Sequence, residues 1–255
     1  METKIGLVGS GNVASHLASS FYEKGIKVIQ VWSREYENSK TLAEKIGAEP
    51  IRDINSFQND LDIIIVSVID DAIKDIATQL ADHSAIIAHT SGTTSIDILT
   101  VLGDNYGVFY PLNTFSKYAE VDMQNTPFFI EADNDRAKET LKALATQISS
   151  KVIDADSKMR RALHIAAVFS CNFNNYLYQV AANILEENKL SFDHIKPLIF
   201  QTASKVMTDD PRKVQTGPAA REDYNTINIH LDELENHPDY RNLYKILTEQ
   251  IIKDK

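Results

Sequence analysis

Residues 4–34 read KIGLVGSGNVASHLASSFYEKGIKVIQVWSR, and this stretch decides the fold. Ile5, Leu7 and Val8 make the short apolar run of a buried parallel strand, which stops at Gly9. The turn Gly9-Ser10-Gly11-Asn12-Val13-Ala14 follows at once. Val13, Leu17, Ser20, Phe21 and Lys24 then keep helical spacing up to Gly25, where a helix would end. Val28 to Trp32 supplies the returning strand. A strand, glycine turn, helix and strand within about thirty residues is the context in which a GxGxxA string has meaning. Gly9 permits the tight turn, Gly11 removes the side chain that would hold a pyrophosphate away, and Ala14 lets the helix pack closely on the strand. The amides of Ser10 to Val13 would then meet the anion at the positive end of the helix.

The dinucleotide is selected at the tip of the second strand. An NAD site places a carboxylate there for the ribose hydroxyls, whereas an NADP site supplies a cation for the 2′-phosphate. The tip here is Ser33-Arg34, a hydroxyl donor and a guanidinium fork, which points to NADP. Glu35 arrives one residue late and keeps a ribose contact open.

Composition narrows the classes. The chain has 255 residues, 43% apolar and 24% charged, with a formal charge of -10 from 36 acidic and 26 basic residues. That balance opposes general binding to nucleic acid or anionic membranes. Cys171 is the only cysteine, so an intramolecular disulfide or cysteine metal cluster is excluded, and the seven histidines form no HExxH-type pattern; no metal is expected. A core strand starting at residue 4, with no apolar run near the roughly 18 residues of a membrane span, leads us to expect a cytoplasmic protein without a targeting segment.

Eight of the nine glycines lie between Gly6 and Gly107, and only Gly217 lies beyond. Short turns between strands use glycine and long helices avoid it, so an α/β front and a helical back are expected. Apolar runs at 48–53, 62–68, 85–89, 106–112, 127–132 and 151–154 alternate with helical segments, which specifies a doubly wound, mostly parallel Rossmann sheet. Asp70 and Asp71 read as caps of the helix that follows them. Ser157 to Asn188 lacks glycine and proline and is apolar on nearly every side, reading as one long buried helix that needs covering by its own domain or by a second copy. Further helices are expected over 192–208, 221–234 and 240–252. The organisation is therefore a cofactor domain at 1–155 and a helical substrate and dimerisation domain at 156–255, rigidly joined around a cleft, in a homodimer.

The strand tips place Val68 and Thr90 with the cofactor. Ser91 could orient a substrate oxygen, or simply cap the next helical turn. In the helical half, His164 and Asn172 lie in HIAAVFSCNFNNY, where an imidazole and amides inside an apolar helix need partners. His164 suits the proton donor for a hydride transfer to a carbonyl or imine. Thr216, Gly217 and Arg221, in a turn read as leading into a helix with Arg221 in its first turn, suit a carboxylate or phosphate clamp, or a structural loop.

Taken in order, GSGNVA with SR after the second strand, HTSGT, YPLNTFS, PFFIEA, HIAAVFSCNFNNYLY and QTGPAARED with YNTINIHL resemble a bacterial NADP oxidoreductase family. Its members pair a Rossmann-like domain with a helical C-terminal domain of unknown function. The front half is more distantly similar to deazaflavin-dependent NADP oxidoreductases and pyrroline-5-carboxylate reductases. The back half is similar to the all-α domain of 6-phosphogluconate and hydroxyacid dehydrogenases, which often dimerise through those helices. The resemblance implies the fold and NADP as cofactor. Those dehydrogenases carry a catalytic lysine with an asparagine four residues on, whereas His164 is followed by Val168 at that spacing, so their mechanism does not transfer. The expected activity is hydride transfer between NADP(H) and a small, anionic metabolite held between the domains. An NADP(H)-binding sensor or assembly protein without turnover is the alternative.

Overall fold

A computed structural model describes residues 3–116 and 119–254 of the chain. Eight strands form one sheet: β1 (Lys4–Val8), β2 (Lys27–Trp32), β3 (Glu49–Ile51), β4 (Ile63–Val66), β5 (Ile86–His89), β6 (Tyr106–Pro111), β7 (Phe128–Ala132) and β8 (Val152–Asp154). Their order is β3-β2-β1-β4-β5-β6-β7-β8, and only the β6–β7 pair is antiparallel. The chain winds outward from β1 to β3 and then returns to place β4 on the other flank of β1. The switch in strand order thus falls between β1 and β4, where doubly wound sheets bind their ligands.

Helices α1 (Asn12–Glu23), α2 (Tyr36–Ile46), α3 (Ile73–Gln79) and α4 (Asp135–Ile148) join the strands. Ile5, Leu7, Ile63, Ile65 and Ile86 pack with Leu17 and Phe21 of α1 and Leu141 and Leu144 of α4 on one face. Val8, Ile64, Val66 and Ile87 pack with Ile76 of α3 and Leu80 on the other. Burial on both faces is why these strands read as continuous apolar runs rather than as alternating patterns.

Contacts divide the chain into one unit ending at Cys171 and a second beginning at Asn172. Helix α5 (Ser157–Ala167) belongs to the first. A π-helical turn over Val168–Phe173 leads into α6 (Asn174–Glu187), followed by α7 (Lys196–Thr208), α8 (Pro211–Val214), α9 (Tyr224–Glu233) and α10 (Pro238–Lys253). The uniform helix expected over 157–188 is therefore interrupted, and apart from Arg160 none of its residues is buried. Within the second unit only Ala219 and Ile227 are buried apolar residues among those described, while Tyr176, Leu198, Phe200 and Met207 are 50%, 66%, 74% and 82% exposed. An apolar helix signals something that must be covered, but it does not say that the same chain does the covering.

Gly9 has the closest approach of any glycine in the first unit. Its φ is +110°, and a Cβ there would lie 2.0 Å from the Ser67 carbonyl oxygen at the end of β4. Gly9→Ala is expected to lower the unfolding free energy by roughly 2–4 kcal/mol, combining backbone strain with a clash against rigid backbone, as measured by urea denaturation.

Candidate functional site

The turn after β1 has the geometry that an anion requires. The Gly9 amide donates to the Trp32 carbonyl at 2.7 Å and the Ser67 amide to that of Val8 at 2.7 Å, so the turn is tied to both neighbouring strands. α1 begins at Asn12 with Gly11 as its N-cap, and no side chain caps it. A Cβ at Gly11 would meet nothing within 4 Å. First-turn amides facing free space fit a pyrophosphate well. Asn12 does not stand free: its Nδ2 donates to the Phe115 carbonyl at 3.1 Å, and His16 Nε2 lies 2.9 Å from the Ser116 carbonyl. The segment after β6 is thereby fastened to the first turns of α1, a contact between residues about a hundred positions apart that local pattern cannot reveal.

At the β2 tip, Ser33 is buried and its hydroxyl donates to the Glu35 carbonyl at 2.8 Å, while Arg34 is exposed. Val68 packs beside α3, and the Thr90 hydroxyl lies 3.2 Å from that of Ser67. These residues line the carboxyl ends of β4 and β5, beside the phosphate turn.

The loop after β5 is a closed polar network. Ser91 Oγ donates to Asp70 Oδ2 at 2.9 Å and accepts the amides of Thr93 and Thr94 at 3.1 and 3.0 Å. This hydroxyl organises the loop, while the 3-10 turn that follows, Ile96–Leu102, is capped by Ser95. Asp70 also accepts from the Thr93 hydroxyl. Instead of capping α3 as expected, this carboxylate faces across to β5, and its helix starts with a 3-10 turn at Asp70–Ala72 that has no side-chain cap. Burial opposes the Asp70 charge, but the hydroxyls of Thr93, Ser91 and Thr94 outweigh it and hold the carboxyl below its usual range. Beneath, His89 accepts the Ser91 amide at Nδ1, 3.1 Å away. Burial, and then the Arg160 charge, push His89 down to about 3, so it is a neutral spacer.

Arg160, on α5, is fully buried. Its guanidinium donates to the carbonyls of Ser91 and Thr94 at 2.8 and 3.0 Å and pairs with Glu131 of β7 at 2.8 Å. Glu131 also accepts from the Ser157 amide and hydroxyl at the start of α5. One turn further along α5, His164 Nδ1 lies 3.2 Å from the hydroxyl of Tyr110 on β6. Both rings press on Gly92: a Cβ there would lie 2.7 Å from Tyr110 Oη and 2.9 Å from His164 Nδ1. Burial pushes the Tyr110 phenol up to about 12, so it stays protonated and can donate to a neutral imidazole or accept from an imidazolium. The structure therefore brings His164 together with Ser91's loop. Tyr110, Asp70 and Arg160 complete the cluster; nothing in their local sequence sets them apart except the position of Tyr110 in YPLNTFS.

The remaining candidates lie in the second unit. Asn172 is exposed within the π turn, and Thr216 and Gly217 lie in a loop. Arg221 is exposed in a turn closed by its own amide on the Pro218 carbonyl at 3.2 Å. The helix expected to begin at Arg221 begins at Tyr224, and Asp223 caps it by accepting the Thr226 amide at 3.1 Å. A carboxylate of the chain itself therefore occupies that helix end. His230 and His237 are engaged with Tyr244 and Glu187 at 2.9 Å each. Among the described residues no group of three or more His, Cys, Asp or Glu is arranged to hold a metal, and no helix is long and apolar enough to cross a membrane.

A phosphate turn at the switch point of a doubly wound sheet defines the dinucleotide-dependent class of α/β proteins. A family model described as NADP oxidoreductase, coenzyme F420-dependent, matches residues 4–92, and a domain of unknown function, DUF2520, matches residues 126–251. The Bacteroides fragilis protein BF3122, provisionally classed as an NADP oxidoreductase, is 41% identical, with 99% of this chain and 98% of that one covered and a TM-score of 0.92. The chain belongs to this NADP oxidoreductase family. TM1727 from Thermotoga maritima shares the fold at 23% identity, with coverage of 98% and 97% and a TM-score of 0.72. An imine reductase from Myxococcus stipitatus, solved with NADP+, shares it at 16% identity, with coverage of 98% and 92% and a TM-score of 0.66. No curated protein matches the sequence.

The contrast between the two glycines of the turn gives a test. Gly11→Ala should cost at most about 1 kcal/mol of stability, the difference between alanine and glycine at an N-cap. Its NADPH affinity, measured by calorimetry, should nevertheless fall by roughly tenfold or more because the methyl group fills the space meant for the pyrophosphate.

Proposed function

We propose that this protein transfers hydride between NADP(H) and a small, anionic metabolite, with His164 as the group that moves the proton. The observation carrying the proposal is the His164–Tyr110 pair at 3.2 Å, packed on Gly92 at the strand tips that follow the phosphate turn. When bound, NADPH supplies a hydride. The amides of Ser10 to Val13 would hold its phosphates, and Ser33 and Arg34 its 2′-phosphate, with Val68 and Thr90 beside the nicotinamide end. His164 has Nδ1 committed to Tyr110, leaving Nε2 to give a proton to the oxygen or nitrogen that hydride transfer makes basic. Tyr110 keeps a hydrogen bond to Nδ1 in either charge state of the ring. Ser91, with its hydroxyl spent on Asp70, shapes the loop and offers no free donor. Asn172, Thr216, Gly217 and Arg221 remain proposed substrate contacts, carried by their polarity alone. A cytoplasmic setting is part of the proposal, supported by the lone exposed thiol of Cys171.

A panel of keto acids and imines, scored by NADPH oxidation, should contain a substrate. On it, His164→Gln should lose about 10²- to 10⁴-fold in turnover while its NADPH affinity stays within about twofold of wild type. Tight NADPH binding with silence across the panel would instead favour a sensor without turnover.

We also propose that a second copy covers the helical unit. With Ala219 and Ile227 as its only buried apolar residues among those described, that unit lacks a core large enough for its size. The exposed Leu198, Phe200 and Met207 supply a surface for a like surface to bury. Light scattering coupled to size exclusion should give twice the chain mass of 28.6 kDa; a monomer at micromolar concentration would contradict the proposal.

A further inference from the structure

We infer that Arg52, oriented by Tyr36, is a second cationic arm for the 2′-phosphate of NADP, so that preference over NAD is divided between two strand tips. The inference deepens the NADP reading above and rests on it.

β2 and β3 are parallel neighbours with Trp32 opposite Ile51. The residues that follow, Ser33-Arg34 on one strand and Arg52 on the other, leave the sheet side by side at its carboxyl edge. That edge is where the adenosine ribose of a dinucleotide is expected. The backbone is fixed there from both directions. Trp32 Nε1 donates to the Arg52 carbonyl at 3.3 Å, and the Trp32 carbonyl accepts the amide of Gly9 from the phosphate turn. A shift of Arg52 would therefore be felt by the same strand end that anchors the phosphate turn.

The side chain is fixed as well. The Arg52 guanidinium lies 3.6 Å from the centroid of the Tyr36 ring, at the first position of α2. A contact with an aromatic face restrains the guanidinium without using its N–H donors. Arg52 and Arg34 are both exposed, and neither takes part in an ion pair among the described residues. Two guanidiniums at adjacent strand tips, one seated over a ring, suit a dianion that each can meet with N–H donors. A ribose hydroxyl would leave both charges unanswered, so the pair discriminates between the two cofactors.

The plain alternative is an arginine that stacks on a surface tyrosine and has no ligand. Calorimetry on the full chain separates the two, using NADPH, NADH, adenosine 2′,5′-bisphosphate and 5′-AMP as probes. Arg52→Gln is expected to weaken NADPH and the bisphosphate by about 10- to 100-fold, the range for one charge-assisted contact, and to leave NADH and 5′-AMP within twofold. Tyr36→Leu should give a smaller loss confined to the same two ligands. The inference is overturned if Arg52→Gln leaves NADPH within twofold, or if it weakens NADPH and NADH equally. Failure of the underlying NADP reading would show differently, in the wild-type protein, as NADPH binding no tighter than NADH. Arg52 is exposed, so an unchanged melting temperature for Arg52→Gln confirms that a loss of affinity is not a loss of fold.

Discussion

A single guanidinium ties the site together. Arg160 has no access to solvent, and a buried unpaired charge would cost several kcal/mol, so every group around it is constrained to answer it. Glu131 supplies the countercharge from β7, and the carbonyls of Ser91 and Thr94 supply acceptors from the loop after β5. These partners come from strand, loop and helix at once. The interaction fixes the loop that carries Gly92 and the helix that carries His164 in one act.

The surroundings of Arg160 show how charges are sorted within this cluster. Burial and the nearby guanidinium keep His89 neutral beneath the loop, where a second cation would be expensive. Asp70 is kept ionised by three hydroxyl side chains rather than by a cation. Tyr110 is kept protonated by its burial. His164 thus meets at Nδ1 a phenol that keeps its proton, so the hydrogen bond between them rests on a partner of fixed charge.

Much of the first unit is legible in the sequence because both faces of a parallel sheet are buried. Runs such as Ile63-Ile64-Ile65-Val66 declare themselves, and the glycine turn declares the ligand end of β1. The reading fails where partners are remote. Arg160 looks like a polar residue on an amphipathic helix, and only the fold brings Glu131 and Ser91 to it. Tyr110 looks like a core aromatic of β6 until His164 arrives from α5. Asp70 and Arg221 defeat it for a related reason: each reads as part of a helix start, whereas Asp70 bonds across to another strand tip and the helix after Arg221 begins at Tyr224 with Asp223 as its cap. The π turn at Val168–Phe173 has no local signal at all.

Gly92 leaves a space that no side chain could share. The phenol and the imidazole approach to 3.2 Å over a patch of backbone with no room for a single methyl group. The pair can therefore keep its contact only while position 92 carries no side chain, because one added carbon would meet the phenol and the imidazole at once.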